Sequence, residues 1–136
     1  CPFAAHIRKT RPRADLGTPE DTAHHIMRAG IPYGPEVTES EAGSGTSSGD
    51  ASLERGLAFV AYQSSISQGF KFLQTAWVNN ARFVFGKSDT TPGVDPIIGA
   101  LKGAQRPISG LDPLDPNHDI TLQNDFVVSR GGEYFF

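Results

Sequence analysis

Gly56-Leu57-Ala58-Phe59-Val60-Ala61-Tyr62 is the stretch on which the fold turns. It is short and apolar at both parities, which predicts a central strand buried on both faces rather than an amphipathic helix. Just beyond it, Ser64 or Ser65 stands where it can cap a helix in which Ile66, Phe70, Leu73 and Trp77 recur at spacings of four, three and four. Those residues form one apolar stripe. Strand-like residues 82–85 come next, followed by a stretch at 86–124 rich in Pro, Gly and Asp, of a length that usually serves a site. The end, Phe126-Val127-Val128, Gly131-Gly132 and Tyr134-Phe135-Phe136, has the grammar of a β-hairpin. A strand, a packed helix and a closing hairpin predict an α+β fold, a ferredoxin-like antiparallel sheet with helices on one side.

Upstream of the strand, the Gly/Ser/Thr stretch at 39–50, which includes the run at 43–49, buries no apolar area and is expected to be a surface loop. Thr18, Pro19, Glu20 and Asp21 signal the start of a short helix: a capping hydroxyl, a first-turn proline and acids at the positive end of the dipole. Gly30, Pro32, Gly34 and Pro35 stop it, and residues 26–33 are equally compatible with an extended strand. Residues 1–16 are basic and expected to be mostly extended, because Pro2 and Pro12 oppose a continuous helix.

At 136 residues with 38% hydrophobic content, the chain is expected to be one domain, 1–136, with a true core. Fifteen glycines and ten prolines add long irregular connections to it. A net charge of -3 argues against a sequence-independent grip on nucleic acid, which needs a basic surface to displace counterions from phosphate. The charge is uneven, however. Arg8, Lys9, Arg11 and Arg13 form a basic run, whereas Glu36, Glu39, Glu41, Asp50 and Glu54 make the next stretch acidic, so an anionic ligand near the first cluster is plausible. Cys1 is the sole cysteine, which excludes an intrachain disulfide and a thiolate metal cluster. No apolar run is long enough to span a bilayer. Opening at Cys1-Pro2 without Met, the chain reads as a processed product or a piece of a longer protein.

Four segments carry chemistry. In Cys1-Pro2-Phe3-Ala4-Ala5-His6-Ile7-Arg8-Lys9-Thr10-Arg11-Pro12-Arg13, one histidine among apolar residues precedes several cations. That is the chemistry of haem attachment, imidazole to iron and guanidinium to propionate, although a lone histidine is more often structural. In Ile26-Met27-Arg28-Ala29-Gly30-Ile31-Pro32-Tyr33-Gly34-Pro35-Glu36 the arginine is suited to stabilise charge on the oxygen that departs as peroxide is cleaved, and its bland alternative is a surface salt bridge. The third is Arg55-Gly56-Leu57-Ala58-Phe59-Val60-Ala61-Tyr62-Gln63-Ser64, and the fourth Pro92-Gly93-Val94-Asp95-Pro96-Ile97-Ile98-Gly99.

Taken in order, and with the closing Arg130-Gly131-Gly132-Glu133-Tyr134, these segments resemble the secreted fungal dye-decolourising haem peroxidases, over nearly the whole chain. The resemblance implies the C-terminal part of such an enzyme, half of a dimeric α+β barrel fold, with haem b as cofactor. It implies His6 as the axial iron ligand and Arg28 over the haem. Asp95 falls where the family keeps a carboxylate behind the axial histidine, there to accept the other ring N–H and strengthen the imidazole as a donor. Its ordinary alternative is a turn aspartate before Pro96. Leu57 and Phe59, of one strand parity, match residues that wall the peroxide pocket, and both are equally ordinary core residues. Arg13 is the propionate candidate, while Arg11 stands where the family often has Asn. Tyr33 and Trp77 are candidates for oxidation of bulky substrates at the surface, with turn and core roles as their alternatives.

One part of the family pattern is missing. The family's acid–base aspartate lies in a Gly-x-x-Asp-Gly motif upstream of the axial histidine, and this sequence contains none. The expectation is therefore an incomplete peroxidase that pairs with the N-terminal half of the same precursor as a second chain, acts on hydrogen peroxide and an organic reductant, and works outside the cell without nucleic acid or membrane partners. A non-enzymatic haem carrier or sensor on a related scaffold is the rival reading, and a structural domain without cofactor is a third. His24-His25 point apart on either a helix or a strand and make a poor metal pair. Asp115, Asn117 and Asp119 open like a calcium loop, but Ile120 holds the place of the required glycine.

Overall fold

A computed structural model of the chain describes residues 1–87, 91–100, 103, 105–112, 114–115, 118–123 and 125–136. It divides into two units, one of residues 27–62 and one of 1–26 with 63–136. Asn117 of the calcium-like spacing lies outside the described residues. The architecture is α+β, with antiparallel strand pairs and short helices.

The smaller unit is a hairpin of β1 (Met27–Tyr33) and β2 (Gly56–Tyr62), in register from Met27 opposite Tyr62 to Tyr33 opposite Gly56. Residues directly opposite in an antiparallel pair share a face. Arg28, Gly30 and Pro32 therefore lie on one face with Ala61, Phe59 and Leu57, and Tyr33 lies on the other. The extended alternative for residues 26–33 is the one adopted. The strand expected at 56–62 is present, but its burial is not: Leu57, Phe59, Val60 and Tyr62 are all exposed. A two-stranded ribbon supplies no second layer, so neither face of this unit is covered.

Between the strands, α3 (Glu39–Ser44) replaces the first part of the expected loop. Thr38 and Glu41 close a capping box, and Gly45 ends the helix in the left-handed region at φ 66°. Arg55 Nη1 and Nη2 donate to the two oxygens of Glu41 at 2.9 and 3.0 Å. That guanidinium, with the N–H groups of Ser48 and Thr38, holds the Glu41 carboxyl far below the usual carboxylate range. The Gly/Ser run folds back on this ion pair, and loop structure is confined to its second half.

The larger unit begins with α1 (His6–Thr10), a 3-10 turn at Arg13–Asp15 and α2 (Thr18–Ala23). The expectation of extended chain over 1–16 fails because both prolines sit outside the helical turns, Pro2 before α1 and Pro12 just ahead of the 3-10 turn. For α2 the cap position falls on Gly17, at φ 88°, and not on Thr18. Downstream, α4 (Phe70–Phe72) continues directly into a π-helical segment, Leu73–Val78. It starts later than Ser64 or Ser65 implied, because the Gln63 side chain accepts the Phe70 N–H at 2.7 Å and closes the helix end there. A Cβ on Gly69 would lie 2.2 Å from that amide oxygen, so a side chain there would displace the Gln63 cap.

Leu73, Trp77, Phe83 and Val84 form the buried cluster, with Leu16, Ile26, Phe72 and Ala76 packed on it. Residues 82–85 form no strand: Phe83 and Val84 fill the core, while Arg82 and Phe85 stay exposed. β3 (Arg106–Ile108) and β4 (Ile120–Leu122) pair antiparallel inside the expected long loop. The closing hairpin is overturned: residues 126–136 form no strand, and their large apolar side chains stay exposed. The double glycine permits a turn, but a strand persists only where its edge or face finds a partner. Among the described residues no helix is long and apolar enough to cross a membrane.

The first turns are tied to residue 87 by charge. Arg8 donates to both oxygens of Asp15 at 2.7 and 2.9 Å, and Lys87 donates to Oδ1 at 2.9 Å. The Arg8 hydrogen bonds, opposed by burial and aided by Lys87, hold the Asp15 carboxyl down at about 2. A carboxylate with a depressed native pKa stabilises the fold above its unfolded value and loses that contribution as pH falls through the native one. Asp15→Asn is therefore expected to lose roughly 1–3 kcal/mol at neutral pH. Denaturant titrations at a series of pH values should show this deficit shrinking from about pH 4 to about pH 2; a deficit independent of pH would mean the pairing is absent in solution.

Candidate functional site

His6 opens α1, and its ring meets the loop that follows the π-helical segment. Its Nδ1 lies 2.8 Å from Oδ2 of Asp95, 89 residues away in sequence. Asp95 is fully buried, and its other oxygen accepts the backbone N–H groups of Ile97 at 2.8 Å and Ile98 at 3.0 Å. Asp95 thus makes both kinds of contact at once. One oxygen closes the turn around Pro96; the other faces the imidazole. An ionised carboxylate oxygen can only accept, so Nδ1 is the donor, and in the neutral ring the lone pair then lies on Nε2. The His6 side chain is 36% exposed.

The carboxylate is held rigidly from several sides. Asp95 N–H donates to Val78 O at 2.9 Å, which ties it to the helix end, and Gly99 N–H returns to Asp95 O at 3.0 Å. Gly93, at φ 98°, lets the chain pass Pro107, where a Cβ would meet the carbonyl oxygen at 2.5 Å. Arg106, almost fully buried, donates to Gly99 O at 2.9 Å and grips Asp125 with its other nitrogens. Neither Arg106 nor the buried Lys9 was singled out from sequence. Both residue types ordinarily mark solvent-facing positions, so their spacing carried no signal.

The basic run is mostly committed internally. Arg8 pairs with Asp15, and Arg11 donates to Asp21 at 3.0 Å. Burial works against an ionised Asp21, but the hydrogen bonds from Arg11, His25 and the Arg13 N–H hold its pKa below the ordinary value. Arg13, at φ 48°, contributes only its backbone N–H, at 3.4 Å, and leaves its exposed guanidinium available. Of the three arginines here, it is the one without a salt bridge among the described residues. His24 and His25 turn to different partners, Gln68 O at 2.7 Å and Asp21 at 3.2 Å.

Arg28, Leu57, Phe59 and Tyr33 belong to the hairpin unit. Arg28 is exposed on β1 and forms no salt bridge among the described residues, so the bland role open to it is not taken. On the same face, Leu57 packs over Gly30, where its methyl carbons stand 3.2 Å from the position a Cβ would occupy. A cation thus shares a sheet face with an aliphatic and an aromatic side chain.

Trp77 requires a correction. It is 4% exposed and stacks flat on Phe83 at 5.1 Å between centroids, so it is a core residue and not a surface position. Its membership of the helical stripe, completed by Phe72 and His24 at its edges, explains the burial. Tyr33 is 48% exposed and lines a groove with Pro32, Pro35, Val37 and Arg55.

Residues 1–87 match the family described as Dyp-type peroxidase, C-terminal. The whole chain is 64% identical to Peroxidase 2 of Mycetinis scorodonius and covers 28% of it. It is 56% identical to a dye-decolorizing peroxidase of Mycena epipterygia and covers 27% of that protein. Among solved structures, a decolorizing peroxidase from Auricularia auricula-judae superimposes with a TM-score of 0.82 at 52% identity, over 97% of this chain and 30% of the other. A second neighbour, at 52% identity and a TM-score of 0.81, is described by the engineering of its heme pocket, again with 97% of this chain and 30% of that one covered. The chain therefore spans less than a third of the relatives it matches.

Proposed function

This chain belongs to the Dyp-type peroxidase family, and from that premise we propose that it is the part of a peroxide-dependent enzyme that holds haem b through His6 and meets peroxide with Arg28. The observation that carries the reading is the contact of His6 Nδ1 with buried Asp95, which engages one ring nitrogen and leaves the other for a metal. A neutral imidazole oriented by a carboxylate on its far nitrogen is the donor set that iron in a macrocycle takes. Arg13, cationic and in no salt bridge among the described residues, is the residue to meet a propionate. The haem, when bound, supplies the two-electron reduction of peroxide and the one-electron oxidation of organic reductants.

The residues of this chain have separable tasks. Asp95 keeps the Nδ1 proton on His6 and fixes the ring. Arg28 places a fixed positive charge where negative charge grows on the oxygen that leaves as the O–O bond breaks. Leu57 and Phe59, on the same sheet face, restrict water beside that charge. The proton shuttle needs a carboxylate that takes a proton from one peroxide oxygen and returns it to the other, giving water as the leaving group. In this reading that group is supplied from outside these 136 residues, which lack the Gly-x-x-Asp-Gly motif. The portion that supplies it, as a separate N-terminal chain or a continuous one, covers the apolar hairpin faces. Each peroxide consumed then draws two electrons, one at a time, from a dye or phenolic, for which Tyr33 and its groove are the exposed point of contact.

The test is bleaching of an anthraquinone dye by the complete protein, followed with and without hydrogen peroxide. Peroxide-dependent bleaching is the expected result. A Soret band without turnover would instead identify a haem carrier, and clean protein without a Soret band would leave a structural domain.

A further inference from the structure

Lys9 is the largest fully buried side chain described. A lysine is almost never enclosed without compensation, because a cation removed from water loses far more than a hydrocarbon gains by packing. Its Nζ donates to Asn80 O at 2.6 Å and to Phe83 O, and it stands 5.6 Å from the centre of the Phe83 ring. None of these partners carries a charge. Burial pushes its pKa down to about 8, and the charge that pulls it back up is that of Asp95. Lys9 also follows His6 by three residues on α1, the spacing that puts two side chains on one helix face. An apolar side chain of similar volume would fill the same space without the desolvation loss, so the charge itself calls for an explanation.

We propose that Lys9 is a positioning residue for His6: its buried ammonium clamps the turn of α1 that carries the imidazole onto the turn at 80–83, and sets a positive charge close to the pair of His6 and Asp95. The proposal rests on His6 as the iron ligand. Carbonyl oxygens fix the ammonium on one side, while its charge is felt by the carboxylate that orients the ring. A positive charge near the iron favours the reduced, less positive metal, so removing it should lower the reduction potential.

The experiment uses the complete haem-loaded protein with Lys9→Gln, Lys9→Met and Lys9→Arg. The ferric/ferrous potential is read by spectroelectrochemical titration, and the iron–histidine stretch of the ferrous form by resonance Raman. Both neutral variants should shift the potential to more negative values. Lys9→Met, which also lacks donors for the two carbonyls, should in addition displace the stretch, and Lys9→Arg should keep the wild-type potential. An unchanged potential in the neutral variants overturns the proposal. Should neither neutral variant fold, Lys9→Arg decides: a wild-type potential supports the charge, and a displaced one refutes it. Failure of the ligand reading looks different, because no variant would then show a histidine stretch and His6→Ala would keep its Soret band.

Discussion

Replacing His6 with alanine is expected to remove the Soret band of the complete protein, and peroxide-dependent bleaching with it. The imidazole is the ring that Asp95 orients, and its free Nε2 is the donor that holds the metal in the proposed site. Loss of an outer partner of a metal ligand typically weakens binding by about 10–100-fold, so Asp95→Asn marks the lower bound and removal of the ligand itself should exceed it. The fold suffers less than the cofactor. His6 is one-third exposed, so its own packing is minor, but Asp95 Oδ2 would be left buried without a donor, which typically costs roughly 1–3 kcal/mol. Absorbance at the Soret maximum per mole of protein, read beside far-ultraviolet circular dichroism, separates these two effects. A folded His6→Ala protein that retains its haem would end the case for this residue as ligand.

The contact between His6 and Asp95 spans 89 residues, and neither periodicity nor composition links the two positions. The shared order of short segments made both residues visible, because that order reflects a site and not a local conformation. Elements that depend on local chemistry were legible from residue types alone. β2 is short and apolar, and Thr18 to Asp21 opens a helix. Burial was not legible. A strand such as Gly56–Tyr62 is apolar because something covers it, and what covers it need not lie in the same 136 residues.

The failures share a physical cause, a tertiary partner that outweighs a local signal. Gln63 reaches seven residues along the chain to cap Phe70, so the serines between them are not needed as caps. Phe83 and Val84 have strand-like chemistry yet fill the core against Trp77 as an irregular segment. Gly131-Gly132 has the composition of a turn, and the flanking aromatic residues pair with no strand edge among the described residues. Lys9 is the extreme case. Nothing in its residue type announces a core position, and only the carbonyl oxygens of Asn80 and Phe83 reveal it.

Arg28→Ala should lower kcat/KM for peroxide-dependent bleaching by about 10²–10³-fold, the usual loss when one preorganised donor to a developing oxyanion is removed, while the Soret band persists. Stability should change little, within roughly 0.5 kcal/mol, because Arg28 is an exposed strand residue outside every salt bridge described. This separation of activity from fold and cofactor is the signature of charge placed for the transition state and for nothing else. Arg28→Lys sharpens the test. It restores the charge but not the planar fork of donors, so recovery should be partial, with kcat/KM between that of the alanine variant and that of the wild type. If the alanine variant bleaches dye as fast as the wild type with its haem in place, the guanidinium has no part in peroxide cleavage, and the face it shares with Leu57 and Phe59 is merely a packing surface.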